Sequence, residues 1–166
     1  QGLLDVYKWG PDQETRDKAL SVAGKYADFI VSFKESKNPN LLNVEYGGMA
    51  ESLYELFSYS KDPNHYKAAN YFSEYSLFAA LATGSKSLSG LHANTTIPKL
   101  TGALKRYQIF TEDPSLVSIA GLSASEITEL TSVYKQSAER FWKLVVEKHS
   151  FVTGDNSVSE HFYDSD

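Results

Sequence analysis

Asp-Pro occurs twice in this chain, at Asp62-Pro63 and Asp113-Pro114. Each time it follows an aromatic helical stripe and a polar turn ("FSYSKDPNHYK", "IFTEDPSLVS") and precedes a new apolar stripe. The Asp suits an N-cap, and Pro, which has no N–H to leave unpaired, suits the first helical turn. A later "VYKQSAERF" shares part of this layout. Such punctuation, repeated at intervals of tens of residues, points to stacked helical hairpins, as in a toroid or solenoid.

The stripes between these breaks have helical period. Leu20, Ala23, Ala27, Ile30 and Val31 predict a first helix after "GPDQ", broken at "SKNPNLLN". Met49, Leu53, Leu56 and Phe57 predict a second, starting near Gly47 or Gly48. A third is expected through "HYKAANYFSEYSLFAALA". The loop "TGSKSLSGLHANTT" leads to Pro98, placed near the first turn of a fourth helix with Leu100, Leu104 and Tyr107. There Asn94, Thr95 or Thr96 is the expected N-cap. Ser123 and Glu126 have capping-box spacing, and Ile127, Leu130, Tyr134, Phe141 and Val145 continue as a long last helix to about His149. Period two is absent except in "SFVTG", so the expectation is all-α. The segment 114–133 is longer than a helix connection needs and is expected to be an insertion on the rim.

Composition narrows the class. The 166 residues carry a net charge of −5, 42% apolar and 22% charged residues, which fits one folded domain. The mild acidity and lack of long Lys/Arg clusters argue against nucleic acid. No apolar run approaches the roughly 20 residues of a membrane span, and no export signal opens the chain. A soluble protein is expected, with the cytoplasm favoured and the compartment otherwise open. There is no cysteine, hence no disulfide or thiolate metal site in this chain. The start at Gln1 and the stop after a loop suggest a piece of a longer protein.

Three loops gather polar residues that helix propensity does not explain: "NVEYGGM", "GLHANTT" and "FVTGDNSVSEHF". In an α-hairpin toroid such loops fall at one end and share a cleft. Glu45, before Tyr46 and two glycines, fits either a helix-entry turn or the cleft, and Glu51 either a solvated helix face or the same cleft. His92, between Leu91 and Ala93, is either a structural residue or a donor and acceptor for sugar hydroxyls. Glu160, beside His161 and Phe162, fits a partly desolvated carboxyl of the kind a general acid needs. The same Glu/His/Asp group would also fit a divalent cation or an exposed tail. His149, with Lys148, suits the negative pole of the last helix.

"GLLDVY", "LLNVEYGGMAESLYELF", "LSGLHANTTIPKLTGALKRYQIF" and "FVTGDNSVSEHF" resemble, in order, segments of the β-L-arabinofuranosidase-like glycoside hydrolases, families 127 and 146 and their relatives. The resemblance implies part of an (α/α)6 barrel and, in the full-length protein, retaining hydrolysis of β-L-arabinofuranosides such as L-arabinose-containing oligosaccharides. It implies Glu160 as the general acid/base, His92 as a sugar contact in the −1 subsite and the Glu45 to Glu51 segment as pocket lining. Tyr46, Asn94 and His161 stand beside them as expected substrate contacts. It further implies a cysteine nucleophile on zinc, downstream of this chain, so no cofactor is expected on these residues and zinc belongs to a longer parent. Twelve helices are needed against the five or six counted here, so apolar helix faces would be left for a partner, a second copy included. Asp155 stands where the family usually has glycine. The other class of function is a helical-repeat module that binds carbohydrate or acts as a scaffold without chemistry.

Overall fold

The computed structural model describes residues 1–33, 42 and 46–164. Among these, nine α-helices and one π-helical segment follow one another and no extended strand forms. The elements are α1 (Gly2–Trp9), α2 (Gln13–Ser32), α3 (Met49–Ser60), α4 (Pro63–Asn70), α5 (Tyr75–Thr83), α6 (Ala93–Glu112), α7 (Ser115–Ala120), α8 (Ala124–Glu129), the π-helical segment Leu130–Lys135, and α9 (Gln136–Lys148). None is long and apolar enough to cross a membrane.

Local chemistry sets many of the boundaries. Asp12 caps α2 by accepting from Thr15 N at 2.8 Å, and Asp62 caps α4 by accepting from Asn64 N at 2.8 Å. Pro63 occupies the first turn of α4, as expected. Ser123 and Glu126 form the capping box that starts α8.

Three boundaries differ from the sequence expectation. The short helix α1 precedes the "GPDQ" turn and seats Leu4 in the core. The expected third helix is two, because the chain turns between Tyr71 and Glu74, where Phe72 is driven into the core. Helix α6 starts at Ala93 with His92 as its N-cap. Asn94, Thr95 and Thr96 therefore lie inside the helix, and Pro98 is its sixth residue.

Two apolar clusters form the interior. One gathers Leu4, Ala27, Ile30, Leu53, Leu56, Phe57, Phe110 and Leu116; the other gathers Phe78, Leu81, Leu88, Leu100, Phe141, Val145 and Phe162. Within segment 114–133, Leu116 is fully buried and Leu130 joins the same cluster. Ile127, expected on the stripe of the last helix, is instead 44% exposed.

Arg106 of α6 lies between the two clusters and is 4% exposed. It donates to Asn70 Oδ1 at 2.9 Å, and its guanidinium lies 4.3 Å from the centroid of the Tyr134 ring. The π-helical turn carries Tyr134 into that position, where the ring face offers the cation an electrostatic partner.

Helix α6 also packs closely on α3, and Gly102 makes this approach possible. A Cβ at Gly102 would lie 2.7 Å from that of Ala50. Because His92 caps the N-terminus of α6, this packing anchors the residue on which the site is built.

Candidate functional site

His92 is fixed from both sides of its ring. Thr95 N donates to His92 Nδ1 at 3.2 Å, and Thr95 Oγ1 lies 3.1 Å from the same nitrogen. A backbone N–H can be accepted only by an unprotonated ring nitrogen. The ring proton therefore sits on Nε2, which donates to Glu160 Oε2 at 3.0 Å. One imidazole thus caps α6 and holds a carboxylate.

A short backbone pairing brings Glu160 there. Gly90 N donates to Phe162 O at 2.8 Å, Phe162 N to Leu91 O at 2.9 Å, and Ala93 N to Glu160 O at 2.8 Å. These bonds join the "GLHANTT" and "SEHF" segments through an isolated antiparallel bridge between His92 and His161. Phe162 anchors the pairing: it is 1% exposed and packs edge-on against Phe141 and His149. His149 is the C-cap of α9, at its negative pole as expected. It is buried against Phe162 and Tyr163.

The loop pays for this arrangement in backbone strain. Ser159 has φ +49° and Glu160 φ +65°, in the left-handed region that L side chains seldom adopt. Such strain is held only where surrounding contacts over-determine it. Here the contacts are the three backbone bonds and the buried Phe162. The tight turn also lets His161 Nδ1 donate to Ser159 O at 2.7 Å, and the His161 ring stands edge-on to His92, with centroids 4.9 Å apart.

The structure thus brings together Glu160, His92 and His161. Asn94, in the first turn of α6, is exposed beside them. Tyr46 lies further along: its ring carries Lys99 Nζ 5.2 Å from the centroid and packs on Phe72. Lys99 follows His92 by seven residues on α6, about 10 Å along the axis. The Tyr46 hydroxyl is buried with no hydrogen-bond partner among the described residues, and its pKa is raised by burial first and by nearby Glu74 second. Glu51 lies half-buried in the first turn of α3, where a carboxylate complements the helix N-terminus. Glu45 falls outside the described residues.

Glu160 differs from expectation in one respect. Its side chain is 77% exposed, so the described residues do not desolvate it. The left-handed turn sends Phe162 inward and leaves Glu160 at the surface. An apolar groove of about 450 Å3 runs between α6 and α9, but Ile97, Leu100, Leu104, Phe141 and Trp142 line it, not the His92 pair.

Sequence reasoning missed the ion pair of Lys99 with Glu74, both largely buried beside Tyr46. A lysine three residues before "GAL" in an apolar stripe was its only local signal.

Compared with known protein families, residues 1–166 match the one described as β-L-arabinofuranosidase, GH127 catalytic domain. The chain belongs to this glycoside hydrolase family. No curated protein matches it. The all-α fold is that of the GH127 catalytic domain, an (α/α)6 barrel, to which α1 to α9 contribute. Within that domain, Glu160, His92 and His161 form the polar group that the paired "GLHANTT" and "SEHF" segments bring into contact. The zinc–thiolate group implied by the resemblance does not fit here, because this chain has no cysteine to ligate it.

Proposed function

We propose that this chain supplies the acid/base side of an active site for retaining hydrolysis of β-L-arabinofuranosides. The observation that carries the reading is the 3.0 Å bond from His92 Nε2 to Glu160 Oε2 on a strained, anchored turn. Glu160, protonated, gives its proton to the glycosidic oxygen as the bond to the anomeric carbon breaks. As carboxylate, it then takes a proton from the water that releases the sugar. His92 fixes the carboxyl rotamer and turns one edge toward the sugar, and Asn94 and His161 flank it. Tyr46 and Glu51 line the approach. The nucleophile and its zinc come from a longer parent protein, since this chain contains no thiolate. Binding of the whole substrate then supplies the desolvation that the exposed Glu160 lacks here.

The absence of cysteine and the exposure of Glu160 also support a second reading, a carbohydrate-binding module without chemistry. One comparison separates the two: an aryl β-L-arabinofuranoside is offered, with added zinc, to the 166-residue chain and to the parent protein. Turnover by the parent that Glu160→Gln reduces by about 100-fold or more, with L-arabinose binding retained, supports the enzyme. Sugar binding without turnover in either protein supports the module. Near wild-type turnover by the Glu160→Gln parent removes Glu160 from the acid role.

A further inference from the structure

Helix α2, the end of α3 and the start of α4 border an open surface hollow of about 510 Å3, remote in sequence from the His92 pair. Asp28 of α2, Ser60 at the end of α3, and Asp62 and His65 at the start of α4 line it. Asp62, the N-cap of α4, and His65, in its first turn, both line the hollow. Gly24 precedes Asp28 by four residues, on the same face of α2. A Cβ at Gly24 would lie 3.1 Å from His65 Cε1 and 3.3 Å from Nε2, so the missing side chain is what lets the ring press against α2.

His65 is the observation that points to a ligand. Its side chain is only 7% exposed, and Asp28 Oδ1 is 4.0 Å from its Nε2, beyond hydrogen-bond reach. Its other nitrogen, Nδ1, is held 2.6 Å from Ser60 Oγ. A buried imidazole nitrogen thus faces a hollow with two carboxylates. One ligand atom from each of Asp28, Asp62 and His65 falls within 4.8 Å of the others. Asp62 uses Oδ1 to cap α4, which leaves Oδ2 for a ligand.

We propose that Asp28, Asp62 and His65 bind a divalent transition-metal ion, zinc by preference. Ligand bonds of about 2.0–2.2 Å need donor atoms roughly 3.3–3.6 Å apart, so an ion draws in the three side chains, whose ligand atoms lie within 4.8 Å of one another. Imidazole selects zinc and its neighbours over magnesium or calcium, which prefer all-oxygen sites. With the metal on Nε2, Nδ1 carries the ring proton and donates it to Ser60 Oγ, which fixes the ring. Asp17 and Lys25 also face the hollow, so its fixed charges remain negative overall. A bound ion pins α2 to α4, and water fills the fourth position. This site uses no thiolate and does not depend on the glycosidase reading.

The test uses the 166-residue chain, stripped with a chelator and titrated with zinc chloride by calorimetry, with cobalt(II) as an optical reporter. One equivalent is expected to bind, with a Tm rise of about 5 °C at 100-fold excess over Kd. Asp28→Asn, at an exposed position that does not threaten the fold, and His65→Gln are each expected to weaken binding at least tenfold. His161→Asn is expected to leave it unchanged. No saturable binding at millimolar zinc overturns the proposal. So does unchanged affinity in Asp28→Asn, or a loss of binding in His161→Asn that places the ion beside Glu160.

Discussion

His92 and Glu160 stand 68 positions apart in the chain, yet their side chains meet at 3.0 Å. The same imidazole accepts from Thr95 N at the start of α6. A helix cap and a carboxylate tether are therefore one side chain, and a change at His92 disturbs both unless it is chosen to separate them.

His92→Asn separates them. Asn is among the best N-cap residues, so it keeps the bond to Thr95, but its shorter side chain does not span the gap to Glu160. Unfolding free energy is expected within about 0.5 kcal/mol of wild type, with affinity for L-arabinose reduced about tenfold. His92→Ala loses the cap as well and is expected to cost about 1 kcal/mol of stability. Urea denaturation and calorimetric titration of the two variants check this. Full sugar affinity in His92→Asn would remove the imidazole from the binding site.

The parts of the fold that the sequence made legible are those decided locally. Asp62-Pro63 and the Ser123/Glu126 box start their helices as expected, because a cap is a contact between residues two or three positions apart. The break after Asn70 was hidden, since Phe72 and Glu74 leave the helix for partners distant in sequence, the core and Lys99. The cap of α6 was misassigned for a similar reason. His is outside the usual N-cap set, and only the bridge to His161 explains why the helix begins there. Asp28 and His65 gave no signal at all, as 37 positions separate them and only the packing of α2 on α4 brings them together.

Gly102 tests the closeness of α3 and α6. Gly102→Ala gains about 1 kcal/mol in helix propensity, but its Cβ would lie 2.7 Å from Ala50 Cβ and 3.2 Å from Glu51 N. Neither neighbour is the free end of a long side chain, so overpacking of about 1–3 kcal/mol outweighs the gain. A net loss of about 1 kcal/mol is expected by chemical denaturation. A stabilised variant would mean that the two helices separate at no cost.

Asp113 predicts an acid limb. The hydrogen bond from Lys61, followed by that from Ser115, lowers its pKa from the ordinary 3.8 to about 2. A carboxylate whose pKa is lower in the folded chain contributes stability that is fully present above the unfolded value and fades as pH falls through the folded one. The contribution is therefore expected above pH 3.8 and lost toward pH 2. Asp113→Asn is expected to flatten the stability profile in that window and nowhere else. The difference should shrink in high salt, because the pair is exposed. An identical profile for the variant would assign the acid limb to other carboxylates.

Ser159 tests whether the turn under Glu160 is strained. At φ +49°, an L residue carries a steric cost of about 1–2 kcal/mol that glycine avoids. Glycine also makes the unfolded chain more flexible, which cancels about 0.5–1 kcal/mol of that gain. The contact this residue makes to His161 comes from its carbonyl oxygen, which the substitution keeps. Ser159→Gly is therefore expected to raise stability by about 0.5 kcal/mol in urea while leaving the His92–Glu160 bond in place. Lower stability would show that the left-handed turn is held without strain, and that Glu160 owes its position to the buried Phe162 alone.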